Sequence, residues 1–237
     1  MTQHLSISRT RVNIVSFVLP CTIVLCVFAA PLRGAEPSQL VKNLTAGKKQ
    51  TVVTYGTSLT AGGAWVAQLQ GLLNKNFPGL ATVRNSGQSG MWSKWGLDHL
   101  DERVLKKNPD TVLIEWAIND AFLEYKTNVE QARKNLETML DAIIKQNANC
   151  EIILMTMDLP IREHLKRRPE IEKYYQMYRD VAKDRKLLLI DHEPNWKAIL
   201  DKGEDAYLAV VPDGIHPNSK GCETVILPAL EAALFGK

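Results

Sequence analysis

The chain has 237 residues, of which 45% are hydrophobic and 23% charged, so it can bury a core and is not an intrinsically disordered sequence. Its formal charge of +3 is uneven, because residues 1–35 hold three arginines and no acidic residue, which leaves 26 basic and 26 acidic side chains in the remainder. A domain without net charge exerts no long-range attraction on DNA or RNA, so we expect no nucleic-acid partner.

The N-terminal segment has the form of a targeting signal. Two arginines precede an apolar run at residues 12–30, and small residues suited to cleavage follow. This order predicts a signal peptide over residues 1–35, and hence a secreted or periplasmic protein. The alternative is an uncleaved anchor, since the run approaches the ~20 residues that span a bilayer, and only then is a membrane partner expected. Residues 36–49 are interpreted as a short leader and residues 50–237 as one domain.

From residue 50 onward, short apolar runs alternate with longer segments of helical period. Several runs are apolar almost throughout, which is typical of strands covered on both faces. The predicted strands are Thr51–Tyr55, Ala81–Asn85, Thr111–Ala117, Glu151–Met157 and Leu187–Asp191. A last helix is expected over residues 218–235, with a kink or boundary at Pro228. This alternation predicts an α/β domain with a parallel sheet between helices.

Polar segments follow the predicted strands, at the edge where open parallel sheets bind ligands. The chain reads Gly-Thr-Ser-Leu with Ser58 after the first strand, Asn-Ser-Gly with Gly87 after the second, and Ala-Ile-Asn-Asp with Asn119 after the third. Asp213 and His216 stand three residues apart near the C-terminus. Each segment taken singly is typical of a helix cap or a turn. Their common place at one sheet edge indicates a functional site.

These residue types complement one another in nucleophilic catalysis. A serine hydroxyl such as that of Ser58 becomes a good nucleophile when a neutral imidazole takes its proton. His216 can serve as that base, and Asp213 can fix the imidazole tautomer and stabilise the cation that forms. The candidate donors of an oxyanion hole are the Ser58 N–H, the Gly87 N–H and the Asn119 side-chain amide.

In these four segments, taken in order, residues 50–237 resemble the GDSL-type or SGNH hydrolases. The resemblance implies a flavodoxin-like three-layer α/β/α sandwich with a mainly parallel five-stranded sheet. It also implies a serine esterase that hydrolyses carboxylic esters through an acyl-enzyme, with no metal and no cofactor. The sequence departs from the family pattern at two positions, since Thr57 stands where Asp is usual and Ala117 where Gly is usual.

Other polar residues offer rival interpretations. His192, which follows the fifth predicted strand, is the serious competitor for the catalytic base, whereas His99 lies in a helical stretch and His164 in the basic run 162–168. This run is interpreted as a solvated face, with binding of an anionic substrate as the alternative. Asp120 is interpreted as a supporting or capping residue.

The segments expected to border the site mix polar residues with Trp92, and no long loop is rich in exposed Leu, Ile or Phe. We therefore expect a small-molecule or glycan ester as substrate, with a short acyl chain such as acetyl and with Trp92 stacking on a sugar ring. The alternatives are a Trp92 packed into the domain, a lysophospholipase or thioesterase, and a non-catalytic carbohydrate-binding module. Cys150 and Cys222 either pair or stay free.

Overall fold

Five parallel strands form the central sheet of the computed structural model, which describes residues 1–2 and 36–237. The strands are β1 (Gln50–Gly56), β2 (Ala81–Asn85), β3 (Thr111–Glu115), β4 (Glu151–Met155) and β5 (Leu188–Ile190). Their order across the sheet is β2-β1-β3-β4-β5, and every neighbouring pair is parallel. The predicted α/β class and parallel sheet are confirmed.

Helices cover both faces of this sheet. They are α1 (Gln39–Thr45), α2 (Ser58–Ala61), α3 (Ala64–Asn76), α4 (Ser93–Asp98), α5 (Leu100–Arg103), α6 (Ala117–Asp120), α7 (Val129–Gln146), α8 (Arg162–Lys166), α9 (Ile171–Arg185), α10 (Glu193–Leu200), α11 (Glu204–Leu208), α12 (Ser219–Gly221) and α13 (Leu227–Phe235). Helix α13 contacts α1 and α3, whereas α7 contacts α4 and α9. The two groups make the outer layers of a three-layer α/β/α sandwich.

Strands β3, β4 and β5 end earlier than predicted. The chain leaves β3 after Glu115 because α6 begins at Ala117, where the sequence pattern still reads as apolar strand. At the end of β4, the Thr156 hydroxyl donates a hydrogen bond to the Asp191 carboxylate at 2.6 Å. This side-chain contact joins the ends of β4 and β5 where regular strand pairing stops.

The segment 36–49, predicted as a leader outside the domain, is part of it. Helix α1 begins where the Ser38 hydroxyl accepts a hydrogen bond from the Val41 N–H, and it buries Leu40, Val41 and Leu44 in the core. The prediction that the domain starts at residue 50 is therefore wrong. Three apolar positions at helical spacing carry this signal in the sequence.

The predicted C-terminal helix is interrupted before Pro228. One turn over residues 222–226 is a π-helix, and α13 then begins at Leu227 with proline in its first turn. Proline has no N–H to donate to the preceding turn, so it is tolerated only near a helix start. The predicted boundary at Pro228 is confirmed, although helical turns continue on both sides of it.

The predicted signal peptide or anchor over residues 1–35 lies outside the described residues, except for Met1 and Thr2. In the part of the chain that is described, no helix is both long and apolar enough to span a membrane. Cys150 and Cys222 are buried and free, so these two cysteines do not form a disulfide.

Candidate active site

The site lies where the sheet changes direction of winding. The chain passes from β1 to the edge strand β2 on one side and then returns to β3 on the other side of β1. At such a switch point the loops after neighbouring strands separate and leave a crevice at their carboxyl ends. Ser58 begins α2, separated by one residue from the end of β1, and Asn119 lies in α6, just after β3, so the fold brings these two predicted residues to one crevice.

Ser58, His216 and Asp213 form a chain of hydrogen bonds. The Ser58 Oγ lies 2.9 Å from the His216 Nε2, and the His216 Nδ1 lies 2.6 Å from the Asp213 Oδ2. An ionised carboxylate can only accept, so the imidazole proton sits on Nδ1 and leaves Nε2 free to accept the serine proton. The three residues thus have the geometry that their predicted roles require.

The turn at residues 213–216 holds the aspartate in place. Its Oδ1 accepts the backbone N–H groups of Ile215 at 3.0 Å and His216 at 2.7 Å, and Gly214 takes a positive φ of 86° between them. Partial burial acts to raise the pKa of Asp213, but the hydrogen bonds from His216 and Ile215 outweigh it and keep that pKa below its ordinary value. The carboxylate is therefore charged at neutral pH and can stabilise a histidinium.

The predicted oxyanion donors are only partly assembled around Ser58. The Gly87 N–H donates to the Asn85 Oδ1 at 3.0 Å, and a Cβ at Gly87 would come within 2.4 Å of the Ala61 backbone nitrogen. Position 87 requires a glycine because the backbone packs closely against α2 there. The hydrogen bond to Asn85 engages the Gly87 N–H away from the crevice. The assignment of Gly87 to the oxyanion hole needs correction.

Gly90, three residues later, borders the crevice together with Ser58, Asn119 and His216. Its φ of 71° is left-handed, and its carbonyl accepts the Tyr125 hydroxyl, which fixes the loop. Among residues 36–237, neither the Ser58 N–H nor the Gly90 N–H donates to another protein group. Sequence reasoning missed Gly90, although the Ser-Gly pair at residues 89–90 repeats the Ser-Gly pair at residues 86–87.

A known protein family matches most of this chain. Residues 44–223 match the model of the GDSL-like Lipase/Acylhydrolase family, which is more than half of the chain. The chain belongs to this family. It is a serine carboxylic ester hydrolase by that membership, which removes the alternative of a non-catalytic binding module.

The relatives of this chain are named for different activities. It is 30% identical over 182 residues to the thioesterase 1/protease 1/lysophospholipase L1 of Escherichia coli strain K12, covering 73% of this chain and 78% of the relative. A catalytic mutant of Axe2, an acetylxylan esterase from Geobacillus stearothermophilus, superposes with a TM-score of 0.68 at 22% identity, covering 79% of this chain and 94% of that one. An α/β hydrolase enzyme from the metagenome of Lake Arreo gives 0.68 at 24%, with coverages of 79% and 95%. These two likenesses establish the fold.

Glu115 explains the unusual Thr57 of this hydrolase. The buried Glu115 side chain at the end of β3 accepts the Thr57 N–H at 2.6 Å, the Thr57 hydroxyl at 3.1 Å and the Thr60 hydroxyl at 2.6 Å. An aspartate at position 57 would place a second carboxylate against Glu115, whereas threonine supplies a donor. Glu115 therefore holds the segment on both sides of Ser58, a role that sequence reasoning missed.

The pKa of Glu115 gives a test of this buried contact. Burial raises it to about 8 against the ordinary value of 4.5, so the folded state keeps a proton that the unfolded state releases. The free energy of unfolding should therefore fall with rising pH, by about 2 kcal/mol from this residue between pH 5 and pH 7. Glu115→Gln should flatten that part of the slope in urea unfolding curves.

A matched comparison separates Glu115 from the other buried carboxyl groups nearby. Burial likewise raises the pKa of Asp120 to about 7 and the pKa of Asp158 well above its ordinary value, so a slope of the same sign should remain in Glu115→Gln, but a shallower one than in the wild type. Equal pH dependence of unfolding in the wild type and in Glu115→Gln would show that Glu115 is ionised in the folded protein at pH 7, contrary to this description.

Two cavities meet at Ser58 and His216. One, of about 300 Å³, is lined largely by apolar groups, among them Leu59, Met157 and Ile226. The other, of about 420 Å³, is lined by polar and aromatic residues that include Asn119, Phe122 and Tyr125. The nucleophile thus lies between an apolar chamber and a mixed cleft, which suits an ester with unlike groups on its two sides.

Trp92 does not line either cavity. Its ring stacks on that of Tyr125 with centroids 4.4 Å apart and an angle of 9° between the planes. Tyr125, on which Trp92 stacks, is the aromatic residue that borders the mixed cleft. The ring that a substrate can stack on is therefore that of Tyr125 rather than the predicted ring of Trp92.

The rival residues lie elsewhere. His192 is fully buried, and neither of its ring nitrogens contacts a hydrogen-bond partner among the described residues. Burial lowers its pKa to about 4, so it is neutral. Asp120 is buried and accepts the Ser93 N–H at 2.9 Å, which is the supporting role expected of it. Within residues 36–237, no group of three His, Cys, Asp or Glu side chains is placed to hold a metal ion.

The basic run 162–168 is not wholly a solvated face. Arg162, Lys166 and Arg167 are exposed as predicted, but Arg168 is buried, and His164, Arg167 and Arg168 all border the mixed cleft. The prediction fails for Arg168 because the chain turns inward after α8 and carries the side chain beneath α6.

Proposed function

We propose that this hydrolase cleaves carboxylic esters with Ser58 as nucleophile, His216 as general base and Asp213 as the group that orients and stabilises the imidazole. The observation that carries the proposal is the continuous hydrogen-bond chain from Ser58 Oγ to Asp213 Oδ2 at the switch point of the sheet. The proton transfers along these three side chains use no bound cofactor. The arrangement resembles the serine triads that recur on unrelated folds.

The reaction proceeds in two halves. The Ser58 Oγ attacks the ester carbonyl carbon while its proton passes to the His216 Nε2, and the histidinium then gives this proton to the departing alcohol. Water attacks the acyl-enzyme with the same base, the acid is released and the serine hydroxyl is restored. Asp213 remains ionised throughout and stabilises the positive imidazole in each half.

The negative oxygen of each tetrahedral intermediate needs donors that are already in place. Ser58, Gly90 and Asn119 all border the mixed cleft, so the backbone N–H groups of Ser58 and Gly90 and the side-chain amide of Asn119 are the candidate donors. Donors fixed by the fold need no reorganisation when charge develops, so they lower the barrier more than mobile groups would. We assign the oxyanion hole to these three groups.

For the substrate we propose a short-chain ester, with acetyl on a carbohydrate, in a secreted or periplasmic setting. The mixed cleft supports this choice, since Tyr125 presents an aromatic ring and Asn119 and His164 present polar groups beside it. Sugar rings combine apolar faces with hydroxyl edges and suit such a lining. The structural likeness to an acetylxylan esterase is consistent with it, and the apolar N-terminal run supports export.

A longer acyl chain is the second candidate, because the apolar chamber supports it. About 300 Å³ lined by Leu59, Met157 and Ile226 exceeds what an acetyl group fills. The E. coli relative, named as a thioesterase and lysophospholipase, is consistent with this candidate. The choice between the candidates depends on which of the two cavities receives the acyl group.

A chain-length series of p-nitrophenyl esters distinguishes the two substrates. We expect kcat/KM to be highest for acetate and to fall with each longer chain, and we expect acetate release from acetylated xylan. Ser58→Ala serves as the background control in both assays. A rate optimum at eight carbons or more, or no acetate from any acetylated glycan, would reject the acetyl proposal in favour of the longer chain.

A further inference from the structure

Arg168 is a buried cation without an acidic partner in the described part of the chain. It is 7% exposed, and no Asp or Glu among residues 36–237 lies within 4.0 Å of its guanidinium as an ion pair. The neighbouring Arg167, by contrast, is exposed and pairs with Glu124. A buried charge left unpaired is costly, so a fold retains one where it serves another purpose.

The guanidinium of Arg168 is directed at α6 and the residue predicted to bind the oxyanion. Its Nε donates to the Ile118 carbonyl at 2.7 Å, and its Nη2 donates to the Asn119 Oδ1 at 3.1 Å. Its Cζ lies 4.7 Å from the centre of the Phe122 ring, and its Nη1 donates to the His164 carbonyl at 3.5 Å. Because the guanidinium is planar, these contacts together fix its orientation.

The Asn119 amide is thereby held from both ends. Its oxygen accepts from Arg168, and its nitrogen donates one N–H to the Met91 carbonyl at 2.8 Å. A guanidinium can only donate, so a flipped amide would set donor against donor at Arg168. The second N–H of the Asn119 amide is not donated to any residue in the described ranges, and Asn119 borders the crevice beside Ser58.

We propose that Arg168 is a positioning residue for the oxyanion hole, which fixes the Asn119 amide with its N–H toward the crevice and strengthens it as a donor by its charge. The proposal rests on the proposed role of Asn119. A positive group bonded to the amide oxygen withdraws electrons from the amide and makes its N–H a better donor. The benefit arises when the carbonyl oxygen becomes negative, so Arg168 should act on kcat more than on KM.

A double-mutant cycle between Arg168 and Asn119 tests this inference. We expect Arg168→Met to lower kcat for p-nitrophenyl acetate by about 10- to 100-fold with KM changed by less than about threefold. Asn119→Ala should lower kcat by about 10²- to 10³-fold. In the Asn119→Ala background, Arg168→Met should lower kcat by no more than about a further threefold, because the group through which it acts is gone.

The control is Arg179→Met, which removes a guanidinium paired with Asp191 and Glu193. It should lower the midpoint of thermal unfolding without lowering kcat, and so shows what lost stability alone does. If Arg168→Met does not fold, Arg168→Lys replaces it in the cycle, since one ammonium cannot hold both acceptors in the same geometry.

The outcomes separate the two proposals. Equal fold losses from Arg168→Met with and without Asn119, or a loss confined to KM, would overturn the positioning role while leaving the oxyanion role of Asn119 in place. Unchanged kcat in Asn119→Ala would overturn the role of Asn119 and the positioning role with it, whereas Ser58 would still be tested by its own variant.

Discussion

Ser58→Ala is expected to lower kcat on p-nitrophenyl acetate by at least about 10⁴-fold while leaving the fold unchanged. The hydroxyl lies at the junction of two cavities and has one side-chain partner, His216. Its removal leaves no buried polar group without a partner, so stability should change by no more than about 0.5 kcal/mol. Circular dichroism and urea unfolding of the same preparation check the fold.

A second serine provides the matched control for this variant. Ser38→Ala removes the hydroxyl that caps α1 and should cost about 1 kcal/mol of stability without lowering kcat. Ser58→Ala is thus expected to lower turnover at unchanged stability, and Ser38→Ala to lower stability at unchanged turnover. A folded Ser58→Ala with activity near that of the wild type would reject Ser58 as the nucleophile.

His216→Ala should be about as damaging as Ser58→Ala, because serine and base act as one unit. Without the imidazole, the Ser58 Oγ keeps its proton and the departing alcohol receives none. We expect kcat to fall by at least about 10⁴-fold with KM little changed. Because the His216 ring is half exposed, the substitution should leave the fold intact.

His192→Ala tests the competing histidine in the same assay. His192 is buried and contacts no hydrogen-bond partner in the described chain, so its loss leaves a cavity and lowers stability. The kcat of folded His192→Ala should stay close to that of the wild type. A larger loss of kcat in His192→Ala than in His216→Ala would reverse the assignment of the base.

The sequence predicts the parts of this protein whose signals are local. Nearly continuous apolar runs mark the strands, and their alternation with helical stripes determines the parallel sheet. Asp213 and His216 lie three residues apart in one turn, so their contact needs no knowledge of the tertiary fold. Ser58 follows the first strand, which places it at the carboxyl edge.

The residues whose environment the sequence did not predict are those that depend on contacts with distant segments. Gly87 and Gly90 lie in the same loop, and only the packing of Gly87 on α2 and the contact of Tyr125 with Gly90 distinguish their positions. Arg168 belongs to a charged run, and its burial depends on α6, about fifty residues earlier in the chain. The partnership of Thr57 and Glu115 likewise depends on the register of β1 with β3, in which Gly56 pairs with Glu115.

The central claim is that Ser58 becomes the covalent acyl carrier through activation by His216. An alkyl fluorophosphonate tests it most directly, since an activated serine displaces fluoride and retains the phosphonyl group. Peptide mapping by mass spectrometry should find one modified residue, Ser58, in the wild type, no adduct in Ser58→Ala, and greatly slowed labelling in His216→Ala. Labelling at another residue, or ester turnover by a protein that the probe leaves unmodified and active, would contradict the account.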